Sequence, residues 1–294
     1  MSAGMSLPAR LVAPHPDVAP LPHAVTFDNG TRLLRGVPYA ARDGVRPLEL
    51  DLWLPRTARA GAAPLVLFVH GGAWLRGRRD DMGFRFREWS PGPMARIAAE
   101  GFAVACADYR LSGEAVFPAP LDDLASVLRW LTLRSAELGV DTGRTVVWGE
   151  SAGAHLASLL ALTHTSPPLA AAVVWYGPSD LTTPRGGFSP DSPASPEAGL
   201  LGGAPAELCD QARAASPLFR VHSGAPSFLV MHGAADTMVS RAHSEELAAA
   251  LEKAGVPVGL RLVPGADHGW AGLSDGQVEE IFTRSLRFAR ESVS

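Results

Sequence analysis

Apolar residues follow two different patterns along the chain and predict two kinds of β-strand. In Leu48–Leu54 apolar and polar residues alternate as far as Pro55, which is typical of a half-exposed strand, and Val37–Ala40 is its candidate hairpin partner. Later runs are apolar without alternation, as strands buried on both faces of a parallel sheet are. These runs are Leu65–Val69, Ala103–Ala107, Thr145–Trp148, Ala171–Trp175, Phe228–Met231 and, as the weakest, Leu260–Val263.

Segments with the spacing of helices lie between these strands. The predicted helices are Leu121–Leu138, Ala152–Leu162, Ser244–Ala254 and Gln277–Arg290. Ser244–Ala254 has Glu245 and Glu246 in its first turn and Lys253 near its end, as the helix dipole favours, and Gly255 follows it. Because strands and helices alternate after an initial meander, we predict an α/β fold. Its mostly parallel central sheet would have about eight strands, with helices on both faces.

Two segments do not fit this alternation. Residues 1–22 are rich in proline and are predicted to form a flexible N-terminal tail. Thr182–Pro217 is rich in proline and glycine and longer than an ordinary connection, so we expect a lid or a binding segment there. No internal repeat or heptad pattern is present. Residues 23–294 are therefore predicted to form a single domain that carries the insertion at 182–217.

The composition argues against several classes of function. With 294 residues, 47% of them hydrophobic and 19% charged, the chain is typical of a globular protein. A formal net charge of -4 and the lack of any Lys/Arg-rich run argue against a nucleic-acid partner. No apolar run approaches the ~20 residues that cross a bilayer, and the N-terminus lacks the pattern of a secretory signal. We therefore expect a cytoplasmic protein without a membrane span.

The two cysteines lie far apart in the sequence. Cys106 falls in an apolar run and is predicted to be a small core residue, while Cys209 falls in a polar stretch. The sequence leaves open whether they form a disulfide, although a reduced cytoplasmic protein is the simpler interpretation. The oligomeric state also stays open, with a homodimer as one alternative.

The first candidate for chemistry is Ser151, which lies between Gly149 and Gly153 in the sequence V-W-G-E-S-A-G. Glycine costs stability inside a strand or a helix, so two glycines around one serine indicate a constraint on the backbone. The serine also lies between the predicted strand Thr145–Trp148 and the predicted helix Ala152–Leu162. In that context G-x-S-x-G forms a nucleophile elbow, which we prefer to the alternative of a glycine-rich turn with a surface serine.

A serine hydroxyl becomes a good nucleophile only when a base takes its proton. His268 directly follows the last predicted strand, where a base should lie if catalytic groups cluster at strand ends. His155 follows Ser151 by four residues on a helix and is expected to pack into the interior. The histidines without a comparable setting are His164, His232 and His243. His268 is therefore the predicted base.

The base in turn needs a carboxylate that orients it. Asp236 follows the strand Phe228–Met231 and is the preferred acid. Asp180, which follows the preceding strand, is its rival, and Asp267 lies too close to His268 in sequence to orient the ring easily. The order serine, aspartate, histidine along the chain is that of α/β-hydrolases.

A glycine-containing loop, H-G-G-A-W at 70–74, follows the strand Leu65–Val69. Glycines let backbone amides approach the position where an oxyanion develops, and the loss of one such donor costs ~2.7–4 kcal/mol of transition-state stabilisation. The alternative is a tight turn at the exit of the strand. Because the loop accompanies a nucleophile elbow, we prefer the anion site.

Together these residues resemble an α/β-hydrolase, and more narrowly the carboxylesterases related to hormone-sensitive lipase and the feruloyl-esterase-like group. The resemblance covers residues 36–292 and implies the α/β-hydrolase fold. The motifs that carry it are H-G-G-A-W at 70–74, D-Y-R-L-S at 108–112, G-E-S-A-G at 149–153, Y-G-P-S-D-L at 176–181, H-G-x-x-D at 232–236 and P-G-A-D-H-G at 264–269.

The resemblance implies a role for each residue at a matching position. Ser151 would be the nucleophile, His268 the base and Asp236 the partner of the base. The oxyanion would be held by the backbone amides of Gly72, Ala73 and Ala152.

Two features depart from the family pattern. Many relatives of hormone-sensitive lipase have a third glycine where this chain has Ala73, whose amide can still donate but whose methyl group narrows the acyl side. The family often carries an N-terminal cap, whereas this chain has a short proline-rich tail. The insertion at 182–217 is therefore the expected wall over the site, with Trp74 near the acyl pocket.

These inferences predict a serine carboxylesterase, in the EC 3.1.1 class, that acts on small-molecule esters with short-chain or small aromatic acyl groups. Neither a metal-binding spacing such as H-E-x-x-H nor a phosphate-binding glycine motif is present, so no cofactor and no metal are predicted. The resemblance leaves open an amide or formamide hydrolase similar to arylformamidase (kynurenine formamidase). A serine peptidase would usually need a large extra domain, and a non-catalytic binding protein on the same fold is the remaining alternative.

Overall fold

The computed structural model describes residues 14–56, 61–183 and 189–294, and within these ranges nine strands form one sheet. The strands are β1 (Val25–Thr26), β2 (Arg32–Ala40), β3 (Leu48–Leu54), β4 (Ala63–Val69), β5 (Ala103–Ala107), β6 (Val140–Glu150), β7 (Ala171–Trp175), β8 (Ser227–Gly233) and β9 (Val258–Val263). Their order across the sheet is β1-β2-β3-β5-β4-β6-β7-β8-β9. The pairs β1–β2, β2–β3 and β3–β5 are antiparallel, and the remaining pairs are parallel.

The parallel centre consists of the strands that the continuous apolar runs predicted. Every residue of β5 and of β7 is buried, as expected for strands covered on both faces. The sheet has one strand more than the predicted eight or so because the two-residue β1 pairs with the edge of β2. The prediction of a mostly parallel α/β sheet is confirmed.

The prediction that Leu48–Leu54 is half-exposed is wrong. No residue of this strand is exposed, because β2 and β5 flank it and side chains cover both of its faces. Asp51 is buried and accepts hydrogen bonds from the Gly36 backbone amide and from Arg79 Nε, each at 2.9 Å. A polar residue in an alternating strand can thus point inward when hydrogen-bond partners satisfy its side chain.

Helices cover both faces of the sheet. They are α1 (Pro93–Ala99), α2 (Ala119–Leu133), α3 (Ser135–Leu138), α4 (Ala152–Thr163), α5 (Pro196–Leu201), α6 (Cys209–Ala214), α7 (Ala242–Lys253) and α8 (Asp275–Glu291). Leu65 and Leu67 of β4 share one core cluster with α2, α4 and α7, whereas Val66 and Phe68 share a second cluster with α1 and α8. The alternating side chains of a strand therefore enter two separate cores.

The helix predicted at Leu121–Leu138 is two helices, α2 and α3, which meet at Arg134. The buried guanidinium of Arg134 donates to the carbonyl oxygens of Pro16 at 3.2 Å and Ala19 at 2.9 Å. Trp130 Nε1 also donates to Pro16 O, at 3.0 Å. These contacts hold residues 14–22, the second part of the predicted flexible tail, against α2, while residues 1–13 of that tail lie outside the described residues.

Of the predicted insertion at 182–217, residues 184–188 lie outside the described residues. The rest contains α5, α6 and part of a short 3-10 helix at Pro217–Arg220. Both cysteines are free thiols, with Cys106 buried in β5 and Cys209 exposed at the start of α6. Among the helices in the described ranges, none is long and apolar enough to cross a lipid bilayer.

Candidate active site

Ser151 lies on a strained turn between β6 and α4. Its φ of 52° and ψ of -122° fall outside the regions that residues with a side chain prefer, at a cost of about 1–3 kcal/mol. The flanking glycines have no space for a side chain. A Cβ on Gly149 would overlap the Gly153 carbonyl oxygen, and one on Gly153 would overlap the carbonyl oxygens of Val69 and His70. The two glycines are therefore required by close backbone packing around the serine.

Ser151, His268 and Asp236 form a continuous chain of hydrogen bonds. His268 Nε2 lies 3.0 Å from Ser151 Oγ, and His268 Nδ1 lies 2.8 Å from Asp236 Oδ2. With Nδ1–H donating to the carboxylate, Nε2 is left to accept from the serine hydroxyl. In this tautomer the imidazole can remove the proton of the hydroxyl, which is the step that makes serine nucleophilic.

The parallel sheet brings these three residues together. Ser151 follows β6, Asp236 follows β8 and His268 follows β9, so all three lie at the carboxyl edge of the sheet. The loops after β8 and β9 are joined by a hydrogen bond of 3.0 Å from the Ala235 amide to the Ala266 carbonyl. The relative positions of the carboxylate and the imidazole are therefore determined by backbone as well as side-chain contacts.

The Asp236 carboxylate is buried but accepts several hydrogen bonds. Its Oδ1 accepts from the amides of Met238 at 2.9 Å and Val239 at 2.8 Å. Burial alone would raise the pKa of Asp236, but hydrogen bonds from His232 and His268 outweigh it and hold the pKa well below the usual range. The carboxylate is thus ionised at neutral pH and can stabilise a positively charged His268.

The rival carboxylates have other partners. Asp267 Oδ1 accepts from the backbone amides of Thr237 at 2.8 Å and His268 at 2.7 Å, so it positions the loop and not the ring. Asp180 Oδ1 accepts from the amide of Thr182 at 2.8 Å. In the parts of the chain that the structure describes, only Asp236 among these three carboxylates is hydrogen bonded to the His268 ring.

His232 contacts the site although its sequence setting gave no reason to select it. It is fully buried, and its Nε2 lies 2.9 Å from the Val239 carbonyl and 3.2 Å from Asp236 Oδ2. Its Nδ1 accepts from Ser244 Oγ at 2.7 Å, which leaves the Nε2 proton directed at the other two groups. The contact could have been predicted from the H-G-x-x-D motif, in which His232 precedes Asp236 by four residues.

The loop at 70–74 has the backbone of a constrained turn. Gly72 has a φ of 109°, Ala73 one of 58° and Trp74 one of 56°, so two residues with side chains occupy the left-handed region. The Gly72 carbonyl closes the turn by accepting from the amide of Arg76 at 3.1 Å. Elsewhere in the described chain, no acceptor bonds to the amides of Gly72, Ala73 or Ala152. Ala73 and Ala152 line the same cavity as Ser151, and Gly72 precedes Ala73 in the loop.

Glu150 connects this loop to the elbow. Its Oε1 accepts from the Gly71 amide at 2.7 Å, and a side chain at Gly71 would overlap the carboxyl group. Burial raises the pKa of Glu150 to about 6, although the Gly71 hydrogen bond and the charge of His268 act in the opposite direction. Sequence reasoning did not select Glu150, because it considered only the glycines and the serine of G-E-S-A-G.

Tyr176 packs against the imidazole of His268. The two ring centroids are 4.7 Å apart with the planes at 62°, and Trp270 makes a second edge contact with the tyrosine ring at a centroid distance of 4.8 Å. The Tyr176 backbone has a φ of 42°, directly after β7. This aromatic contact restricts the position of the histidine ring and was not predicted from the sequence.

A small cavity opens beside the serine. Its lining residues are Ala73, Trp74, Ser151, Ala152, Pro178, Pro196, Glu197, Met238, Val239 and His243. Its free volume of about 40 Å³ has room for about three water-sized groups. Pro196 and Glu197 belong to α5 of the insertion, and Trp74 contributes one wall. Within the described residues, no group of His, Cys, Asp and Glu side chains could hold a metal ion.

Comparison with known proteins assigns the chain to a family. Residues 50–251 match the family model BD-FAE. Esterase LipQ of Mycobacterium tuberculosis is 31% identical over 245 residues, which are 79% of this chain and 56% of LipQ. Carboxylesterase NlhH of the same organism is 33% identical over 158 residues, which are 51% of this chain and 46% of NlhH. The chain spans about half the length of these curated relatives.

Solved structures share the architecture over most of the chain. A truncated carbohydrate esterase from gut microbiota superposes with a TM-score of 0.73 at 24% identity, covering 89% of this chain and 99% of that one. The propionate-bound esterase Est2 of Thermogutta terrifontis superposes with a TM-score of 0.67 at 26% identity, covering 89% of this chain and 93% of that one. The predicted α/β-hydrolase fold is confirmed.

Proposed function

The chain belongs to the BD-FAE family, and on that premise we propose that it is a serine carboxylesterase that hydrolyses small-molecule esters through an acyl-enzyme. The observation that carries the proposal is the unbroken chain of hydrogen bonds from Asp236 through His268 to Ser151. Relatives named esterase and carboxylesterase support ester hydrolysis as the reaction.

In the acylation step, Ser151 Oγ attacks the carbonyl carbon of the ester while His268 Nε2 takes the hydroxyl proton. The carbonyl oxygen becomes an oxyanion, which accepts hydrogen bonds from the amides of Gly72, Ala73 and Ala152. The ionised Asp236 stabilises the imidazolium. The carbon–oxygen bond to the alcohol then breaks, and His268 gives its proton to the alcohol oxygen.

In the deacylation step, water takes the place of the alcohol. His268 removes a proton from the water, whose oxygen attacks the acyl carbon, and the same amides hold the second oxyanion. Collapse of this intermediate breaks the bond to Ser151 Oγ, which recovers its proton from His268. The carboxylic acid leaves and the enzyme returns to its starting state.

The cavity beside Ser151 favours short acyl groups. Its small free volume and mostly apolar lining suit a short acyl chain better than a long one. Propionate in the Est2 structure is an acid of this size bound by a structural neighbour. We therefore propose that kcat/KM falls as the acyl chain lengthens.

The experiment that tests this function measures hydrolysis of p-nitrophenyl acetate, butyrate and octanoate beside N-formylkynurenine. The wild type is compared with Ser151→Ala and with the matched control Ser223→Ala, at an exposed serine. We expect acetate and butyrate to be hydrolysed fastest and Ser151→Ala to lower kcat by at least about 10⁴-fold. Ser223→Ala should behave as the wild type.

Two other outcomes would change the assignment. A clear preference for N-formylkynurenine would make the protein a formamidase that uses the same residues. If no substrate is turned over in a Ser151-dependent manner and a phosphonate probe does not label Ser151, the protein is a non-catalytic binding protein.

A further inference from the structure

An acidic side chain lies in the cavity beside the nucleophile. Glu197 lines this cavity together with apolar groups such as Trp74, Met238 and Val239. It lies in the first turn of α5, where Ser195 Oγ accepts from the Ala198 amide at 3.0 Å and caps the helix. The capped helix therefore holds the Glu197 backbone in a defined position.

One oxygen of this carboxyl group has no partner. Glu197 Oε2 is shielded from solvent and makes no hydrogen bond. Burial also raises the pKa of Glu197, in spite of contacts from its own backbone amide and from Ser195. Unpaired buried acceptors are rare in folded proteins, because they lose their hydrogen bonds to water without replacement. An acceptor of this kind in a substrate cavity is explained if a ligand supplies the donor.

Among the described residues, no donor is hydrogen bonded to Glu197 Oε2. His243, which lines the same cavity, uses Nδ1 to accept from the amides of Ser179 at 3.1 Å and Asp180 at 3.3 Å. Pro178 and Pro196, which also line the cavity, have side chains that cannot donate. A ligand in the cavity can therefore supply the donor that this oxygen lacks.

We assign the cavity to the acyl part of the substrate. His268 must give its proton to the leaving alcohol, so the alcohol occupies the side of Ser151 that faces His268. His268 is not among the residues that line the cavity, whereas Ser151 and Ala152 are. This lining favours the cavity as the place of the acyl part, which stays bound to Ser151.

We propose that Glu197 is a specificity residue, which accepts a hydrogen bond from a hydroxyl or ammonium group on the acyl part of the substrate. This inference rests on the proposed ester hydrolysis at Ser151. It narrows the substrate class to esters of small hydroxy acids or amino acids. A carboxylate acceptor selects such groups over a methyl group of similar size, because only the polar group replaces the missing hydrogen bond.

The test compares p-nitrophenyl esters that differ in one group of similar size. The acids are 3-methylbutyrate, 3-hydroxybutyrate and 3-aminobutyrate, and kcat/KM is measured for each. The variants are Glu197→Leu, which removes the acceptor, Glu197→Gln, which keeps a neutral acceptor, and Glu207→Leu as an exposed control in the same insertion. Circular dichroism checks that each variant folds, and Ser151-dependent hydrolysis of p-nitrophenyl acetate serves as the reference reaction.

We expect the wild type and Glu207→Leu to prefer the hydroxyl or ammonium ester over the methyl ester by at least about tenfold in kcat/KM. Glu197→Leu should reverse this preference. If Glu197→Gln keeps it, the natural group is a hydroxyl, and if Glu197→Gln loses it, the group is an ammonium. If the wild type and Glu197→Leu show the same kcat/KM preference for the polar ester over the methyl ester, water alone satisfies Oε2. That result overturns this inference but leaves the proposed esterase activity standing. Absence of Ser151-dependent hydrolysis of every ester would overturn both proposals.

Discussion

The indole N–H of Trp74 donates to Nδ1 of the buried His155 at 3.2 Å. The other ring nitrogen of His155, Nε2, donates to the Ala215 carbonyl at 2.7 Å. Burial lowers the pKa of His155 to about 4, so the ring is neutral at neutral pH and can accept at Nδ1. One histidine thereby connects the loop at 70–74 with the insertion at 182–217. Trp74 was expected near the acyl pocket, but His155 was expected only to pack into the interior.

We predict that this connection positions the amide donors beside Ser151. Trp74→Phe keeps an aromatic ring and removes the donor, and His155→Leu removes the acceptor. Each should lower kcat about fivefold, which corresponds to the ~1 kcal/mol of one hydrogen bond. A double-mutant cycle on kcat for p-nitrophenyl acetate should show that the two effects are not additive.

The control for this cycle is Trp53→Phe, at a tryptophan that stacks on Phe27 and lies on β3, which β5 and β4 separate from β6. It should leave kcat unchanged and combine additively with His155→Leu. Additive effects of Trp74→Phe and His155→Leu would show that the hydrogen bond has no role in positioning the loop.

Asp236→Asn should lower kcat on the order of 10⁴-fold while the fold is preserved. The amide cannot stabilise the imidazolium and favours the wrong tautomer of His268. Asp267→Asn is the matched control, because Asp267 bonds to the backbone of His268 and not to its ring. It should change kcat by less than about tenfold. A similar loss in both variants would point to disruption of the loop instead of loss of a catalytic carboxylate.

Gly153→Ala should destabilise the fold by about 3 kcal/mol or more, since the added methyl group overlaps the backbone carbonyls of Val69 and His70. Gly276→Ala is the control, because Gly276 lies in α8 with no atom within 4 Å of an added Cβ. It should stabilise the protein by up to about 1 kcal/mol. Urea unfolding of both variants measures the difference, and equal stability would contradict the packing described for the elbow.

Glu150 should make the stability of the protein depend on pH in a defined direction. Its pKa rises from the ordinary 4.5 to about 6 on folding, so the protonated form is favoured in the folded state. The stability that this provides is complete below pH 4.5 and is lost as the pH rises through about 6. Glu150→Gln cannot titrate and should gain about 2 kcal/mol relative to the wild type between pH 4.5 and pH 7.5.

The comparison is made by urea unfolding of the two proteins at both pH values. Asp236 has a lowered pKa, so its contribution is present above its ordinary value of 3.8 and is lost only at more acidic pH. The contribution of His155 to the pH dependence of stability has the opposite sign to that of Glu150. Because both proteins contain His155, this contribution cancels in the difference between them. A pH-independent difference would contradict the raised pKa of Glu150.

The sequence predicted the features that depend on residues close together in the chain. Continuous apolar runs marked the buried strands, and two glycines around Ser151 marked a turn that admits no side chains. The positions of Asp236 and His268 followed from the rule that parallel strands present their carboxyl ends at one edge. These three side chains are hydrogen bonded in the structure, while their roles in catalysis remain proposals.

Contacts between distant segments could not be predicted from the sequence. The inward direction of Asp51 depends on Arg79, and the burial of the Arg134 guanidinium, where the predicted helix divides, depends on the carbonyl groups of residues 16 and 19. In the same way, Glu150 gains its role from Gly71, which lies on another strand exit. The periodicity of apolar residues in the sequence does not predict such pairings, because each depends on the final positions of two separate elements.

The measurement that tests the central claim most directly is labelling with a fluorophosphonate followed by peptide mass spectrometry. A phosphonate reacts with a serine only when a base activates the hydroxyl and amides hold the developing charge. We predict that a single phosphonyl group is found on Ser151 in the wild type and that labelling is strongly slowed in Asp236→Asn. A label on another residue, or an unlabelled protein that remains folded, would contradict the assignment of Ser151 as an activated nucleophile.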